Sequence, residues 1–222
     1  MKPQQTLGRV ATPDGRELVL YERDGVFSIR VDGLELMSSR AHGSEEALAD
    51  LVLAGIQNRE PKVLVGGLGM GYTLRAVLDS VPSSAQVTVV EIFPAVVGWN
   101  RGELAHLARR PLKDARVVVE EADIATVITA NPRTFDAVLL DVDNGPAAFT
   151  TTGNRRLYGT QGLADIRRCL RPRGMLGVWS ADPDQPFARR LTKAGFRVRT
   201  ETVSARLNAK GPKHTIFVAK KP

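Results

Sequence analysis

The feature that most constrains this chain begins at Pro61. From there, short apolar runs alternate with stretches of helical period. KVLVG (62–66) precedes YTLRAVLDS (72–80). QVTVVE (86–91) precedes a segment opened by Pro94, a residue suited to the first turn of a helix. ARVVVE (115–120) and FDAVLLD (135–141) follow, and the unbroken apolar stretch of the latter marks a strand covered on both faces. Leu163, Ile166, Cys169 and Leu170 recur at helical spacing after Thr160, and Pro172 ends that helix before MLGVWS (175–180). Pro186 to Ala194 reads as a helix closed by Gly195 at C′. FRVRTETV (196–203) and HTIFVAK (214–220) bring the strand count to seven. Strands alternating with helices build a mostly parallel, doubly wound α/β sheet. The last two strands have no helix between them, which predicts an antiparallel hairpin at one edge.

Residues 17–37 differ. ELVLYER, VFSIRV and LELMS alternate like short strands, with Asp24-Gly25 and Asp32-Gly33 between them as hairpin turns. Ser44 is placed to cap a helix whose first turn carries Glu45 and Glu46, where the dipole favours acids. The chain therefore divides into a small β-strand region, residues 1–43, and one larger domain, residues 44–222.

Composition narrows the function. At 43% apolar and 25% charged, the chain can bury a core and is neither disordered nor fibrous. No apolar run is long enough to span a bilayer, so no membrane partner is expected. The N-terminal segment lacks a signal-peptide pattern, which predicts a cytoplasmic location. Cys169 is the single cysteine, and His42, His106 and His214 are scattered, so neither a disulfide nor a metal site is expected. The net charge of +7 is uneven: residues 1–154 carry 15 basic and 20 acidic side chains, residues 155–222 carry 16 and 4. A basic C-terminal third admits a nucleic-acid partner. Solvated helix faces bearing Arg167, Arg168, Arg189 and Arg190 account for it more simply.

In a doubly wound sheet, ligands bind beyond the carboxyl ends of the strands. The first of these ends carries Gly66-Gly67-Leu68-Gly69-Met70-Gly71, where glycine lets the backbone turn sharply and approach a ligand. The second carries Glu91, placed to take the two hydroxyls of a ribose. The third carries Glu120, Glu121 and Asp123, and the fourth Asp141 and Asp143. Glycines at 67, 69 and 71 depart from the GxGxxG of dinucleotide folds. Carboxylates converging on one crevice need a cation or hydrogen-bond donors to offset them. A sulfonium nucleoside supplies both. The alternative is a set of helix-capping acids around a tight turn, with no ligand.

These segments resemble the spermidine synthases, or polyamine aminopropyltransferases, whose Rossmann-like fold belongs with the class I S-adenosylmethionine methyltransferases. VLVGGLGMGYTLRAVL is similar to their glycine-rich segment and VVEIFPAVVGWN to their ribose-binding segment. EEADI is similar to the adenine-binding segment, and FDAVLLDVDNGP to the strand ending in the catalytic aspartate. The N-terminal strands and GLELMSS resemble the family's small β-domain. The resemblance implies Glu91 on the ribose, Asp123 and Ile124 around the adenine, and Asp141 near the reacting amine, with Asp143 a second catalytic candidate. It implies decarboxylated S-adenosylmethionine or S-adenosylmethionine as co-substrate and a small-molecule amine or other nucleophile as partner. It also implies a place in polyamine biosynthesis and leaves room for a homodimer.

Three departures qualify it. Met70 stands where the family carries an acid that holds the donor's amine. Asn144 stands three positions after Asp141, where the family has a second acid. HGSEEALADL lacks the family's Tyr-His-Glu lid. The nucleoside half reads as intact and the polyamine half as altered. A methyltransferase on the same fold, and a catalytically silent nucleoside- or nucleic-acid-binding protein, therefore stand as alternatives.

Overall fold

The computed structural model describes residues 3–12, 15–142, 156–206 and 211–222. Four antiparallel strands come first: β1 (Gln5–Ala11), β2 (Glu17–Arg23), β3 (Val26–Val31) and β4 (Leu34–Ser38), paired in that order. Asp24 and Gly25, then Asp32 and Gly33, all have positive φ, as two-residue hairpin turns require. β1 goes beyond the three strands expected. Its alternation is interrupted at Gly8, beside a register shift, and a Cβ there would lie 2.3 Å from the Trp99 indole nitrogen.

The second sheet has seven strands: β5 (Lys62–Gly66), β6 (Gln86–Glu91), β7 (Val117–Glu121), β8 (Phe135–Leu140), β9 (Leu170–Ser180), β10 (Arg197–Ser204) and β11 (Lys213–Lys220). Their order is β10-β11-β9-β8-β5-β6-β7. The five strands from β9 to β7 are parallel, and β10 and β11 form the expected antiparallel edge. Among the described residues the helices are α1 (Gly43–Leu53), α2 (Tyr72–Ser80), α3 (Pro94–Arg101), α4 (Ile124–Ala130), α5 (Thr160–Cys169) and α6 (Gln185–Lys193). β9 begins at Leu170, directly after α5 and earlier than its apolar run indicated, because Leu170 already pairs with Phe135 of β8, ahead of a register shift that takes in Arg173 at φ 65°.

Val63, Val65, Ala137 and Leu139 point to one face of the sheet and pack with α1, α2, α3 and the inner face of the small sheet. Leu64, Val138, Leu140 and Val178 point to the other, against α4, α5 and α6. This covering of both faces explains why β5 and β8 read as unbroken apolar runs. Trp99 is buried beneath Gly8, and Tyr158 is buried edge-on to Phe187 at 5.4 Å, so both serve the core.

Ser44 does not cap α1. The cap position is His42, and Ser44 lies inside the first turn with its hydroxyl turned toward neighbouring side chains. No helix among the described residues is long and apolar enough to cross a membrane.

Candidate active site

β5 pairs with β6 on one side and β8 on the other, so the crossover direction reverses there. The loop leaving β5 is therefore the place where such a sheet opens a ligand crevice. Gly67, Gly69 and Gly71 all have positive φ, at 88°, 51° and 84°. Their missing side chains are demanded by the protein itself, not by space for a ligand. A Cβ on Gly67 would lie 2.2 Å from the Asp141 carbonyl oxygen; on Gly69, 2.6 Å from Met37 Cε; on Gly71, 3.0 Å from Asn100 Oδ1. Asn100 of α3 is buried and donates to the Gly69 carbonyl at 2.8 Å and to Val96 at 2.9 Å, which ties the loop to the helix.

Glu91, at the end of β6, is almost fully buried. Its two carboxylate oxygens accept the backbone N–H groups of Leu68 (2.9 Å) and Phe93 (3.0 Å). Burial raises its pKa, and the backbone donors partly offset that. Each oxygen has a further lone pair for a ligand donor. Beside it, Ile92 is 52% exposed, one of three large apolar side chains so exposed among the described residues. Asp123 caps α4, accepting the Ala125 N–H at 2.8 Å, while Ile124 packs against the Gly66 backbone.

Asp141, at the end of β8, accepts the Thr73 hydroxyl at 2.6 Å, and its N–H is held by the Gly66 carbonyl at 2.9 Å. Burial pushes its pKa up to about 6, against the lowering effect of Thr73. A second carboxylate feels its charge. Glu45, in the first turn of α1, is pushed up to about 8 by burial and then by the charge of Asp141. Two like charges in one partly desolvated space cannot both ionise freely, so the pair holds one proton near neutral pH.

The supports of Glu45 are specific. Ser44 Oγ donates to Glu45 Oε2 at 2.6 Å and lies 2.9 Å from His214 Nδ1. With its one proton on Glu45, Ser44 accepts from the imidazole, which fixes the Nδ1–H tautomer. His214 is held neutral by burial. Tyr72 stacks on His42 with ring centroids 4.1 Å apart. The Tyr72 phenol is pushed up to about 12 by burial and by the charges of Glu45 and Glu46, so it stays protonated. Outside the crevice, a groove of about 290 Å³ runs between α1 and α2, with His42, Glu46 and Tyr72 at one end and Asp79 and Ser80 at the other. It contains neither Glu45, Asp141 nor Glu91, and the carboxylate chemistry belongs to the crevice.

Sequence reasoning thus places Gly67, Gly69, Gly71, Glu91 and Asp141 around one crevice. Asp143 and Asn144 lie outside the described residues. Glu45, Ile92 and Asn100 were missed. Glu45 carried only the signal of a helix-favouring acid, and nothing in the linear pattern pairs it with Asp141.

The spermine/spermidine synthase domain model matches residues 41–185. The chain belongs to that family. Its homologues are transferases of the aminopropyltransferase type. No curated protein matches by sequence. Among solved structures, the chain is similar to a spermidine synthase in complex with the transition-state analogue AdoDATO, at 20% identity and TM-score 0.76, over 98% of this chain and 72% of that one. It is similar to the Thermotoga maritima spermidine synthase at 19% identity and TM-score 0.78, over 98% and 73%. A probable spermidine synthase from Corynebacterium glutamicum follows at 17% and 0.63, over 99% and 81%. At these identities the structural likeness speaks for the fold.

Proposed function

We propose that this family member alkylates an amine with the aminopropyl group of a sulfonium nucleoside, with Asp141 as the base. The observation that carries the reading is the Glu45–Asp141 pair at the carboxyl end of the sheet, beside the glycine loop. A primary amine has a pKa of about 10 and enters as an ammonium ion that cannot attack. A carboxylate pair holding one proton attracts that ion and retains one ionised oxygen set to take its proton. The donor, when bound, supplies an electrophilic carbon next to positive sulfur. Ammonium and sulfonium together become a secondary ammonium, a neutral thioether and one released proton, and Asp141 receives that proton. Thr73 orients the accepting carboxylate. Ser44 and His214 hold Glu45 in line.

In this reading the loop of Gly67, Gly69 and Gly71 cradles the nucleoside, and Glu91 accepts the ribose hydroxyls. Asp123, Ile124 and Ile92 border the adenine. Asp143 is a second catalytic candidate. Decarboxylated S-adenosylmethionine is the donor that provides an aminopropyl group. One observation favours a second reading, methyl transfer from S-adenosylmethionine: Met70 replaces an acid in the loop and is buried in the core.

Calorimetry with S-adenosylmethionine, decarboxylated S-adenosylmethionine and methylthioadenosine in parallel decides the donor. For the chemistry, Asp141→Asn should lower turnover by about 10²–10⁴ while nucleoside binding holds. Glu45→Gln should act mainly on amine KM. In the wild type, kcat/KM should rise with pH through the Asp141 value near 6. An Asp141→Asn variant with unchanged turnover would remove Asp141 from the reaction.

A further inference from the structure

The strand register gathers cations at the end of the sheet opposite the crevice. β8 and β9 begin there, β11 ends there, and β10 starts there, with Arg197 directly opposite Lys220. α5 and α6 both end there in basic last turns. Arg133, Arg173, Arg197 and Lys220 are exposed at this corner. Asp136 and Asp165, the carboxylates of β8 and α5 there, already hold Arg171 (2.8 Å) and Arg168 (3.0 Å). No described carboxylate lies within 4.0 Å of the other four.

The arrangement is locally unfavourable. Like charges directly opposite on antiparallel strands repel, as Arg197 and Lys220 do. Lys221 caps the end of α5 by donating to the Arg167 and Leu170 carbonyls at 2.7 and 2.6 Å, and its pKa is lowered by burial and then by Arg167 and Arg133. Helix dipoles account for the basic last turns of α5 and α6. They do not account for Arg133, Arg173, Arg197 or Lys220. What relieves such crowding is a polyanion.

We infer that this amino-end corner, built on Arg133, Arg173, Arg197 and Lys220, binds the phosphate backbone of duplex nucleic acid. The large apolar side chains exposed among the described residues are Leu34, Ile92 and Val118, and none lies at this corner. A lipid surface therefore finds nothing to bury, and single-stranded bases find no aromatic to stack on. Four strands span about 15 Å, several phosphates of a duplex that carries one charge per about 1.7 Å of axis. The crevice stays open at the other end of the sheet, so this contact and the proposed chemistry are independent.

The test is fluorescence anisotropy of the full chain with a labelled 20-base-pair duplex across salt concentrations. Four phosphate contacts give a slope of log K against log salt near −3.6, or roughly a 150-fold loss between 50 and 200 mM. The triple variant R173Q/R197Q/K220Q should lose most of the affinity and flatten the slope by about 2.7. R40Q/R101Q/K213Q removes the same charge elsewhere and should keep the slope. R173K/R197K/K220R retains the charges and should keep binding. Absence of binding at 50 mM salt overturns the inference, as does equal loss in both glutamine variants. Equal binding to vesicles of phosphatidylserine and phosphatidylcholine also overturns it, in favour of a lipid surface. Turnover is measured separately and has no bearing on the outcome.

Discussion

Replacing Gly67 with alanine should damage this protein far more than the same change at Gly69, although both glycines sit in one loop. The added Cβ at Gly67 would lie 2.2 Å from the carbonyl oxygen of Asp141, backbone at the end of a central strand. It cannot be relieved without moving Asp141. Gly67 also has φ 88°, beyond the left-handed region that L-residues tolerate. A left-handed penalty of about 1–2 kcal/mol and an overpacking cost of about 1–3 kcal/mol sum to roughly 2–5 kcal/mol. In a chain of this length that lowers Tm by about 4–20 °C. At Gly69, φ is 51° and the obstacle is the tip of Met37, a flexible side chain. The cost there should be about 1–2 kcal/mol, mainly the backbone term. Thermal unfolding of the two variants, with methylthioadenosine affinity measured on each, checks the difference. If Gly69→Ala is the more destabilising, the packing assigned to this loop is wrong.

Glu91→Ala should weaken methylthioadenosine by about 1.5–3 kcal/mol, with a much smaller loss for an analogue lacking both ribose hydroxyls; titration calorimetry on both ligands measures it. Glu45 has a native pKa above its unfolded value of 4.5, so the stability it contributes is present in acid and lost as pH rises toward 8. Glu45→Gln should therefore gain on the wild type in unfolding free energy between pH 6 and 9, by on the order of 2 kcal/mol, read as a growing difference in melting temperature, and a constant difference across that range would contradict the burial of this carboxylate. Asp123→Ala should cost about 1 kcal/mol of stability through its cap alone, with or without ligand. Asp123→Ser keeps a cap and should restore stability; a nucleoside affinity that recovers with it would assign Asp123 to the helix and not to the adenine.

What the sequence made legible follows from which interactions are local. Apolar period and turn chemistry are local, so the seven strands, the edge hairpin and the Asp-Gly turns could be read directly, with boundaries off by a residue or two except at β9, which starts five residues early at Leu170. β1 could not, because Gly8 breaks its alternation for a reason that lies in Trp99, on a helix of the other sheet. The same holds in the crevice. Glu91 and Asp141 were legible because strand ends in this architecture point to one place. Glu45 was not, because an acid in a helix's first turn has a sufficient local explanation, and only the packing of α1 beside the end of β8 gives it another. Ser44 shows the converse: a good cap residue on paper, it is turned to a tertiary partner instead.

Met70 bears on the donor more sharply once its surroundings are known. A polar loop residue that merely lacked a charge could still face the crevice and be supplemented by water. Met70 instead is 2% exposed and packs into the core shared by β5, α2 and α3. Restoring an aspartate there would bury a carboxylate among apolar side chains, which costs several kcal/mol unless the loop rearranges. The loop is thus committed to an apolar residue at this position. Any cationic tail on the donor must find its counter-charge elsewhere; among the described residues Glu91 is engaged by the loop and, in this reading, by the ribose, and Asp123 caps α4, which leaves the Glu45–Asp141 pair. Donor tail and acceptor amine would then draw on the same two carboxylates. That pair, holding one proton near neutral pH, offers a single full negative charge, enough for one ammonium ion at a time. The wild type should accordingly turn over putrescine with decarboxylated S-adenosylmethionine weakly or not at all, and robust spermidine formation from that standard pair would show that the two cations do not compete.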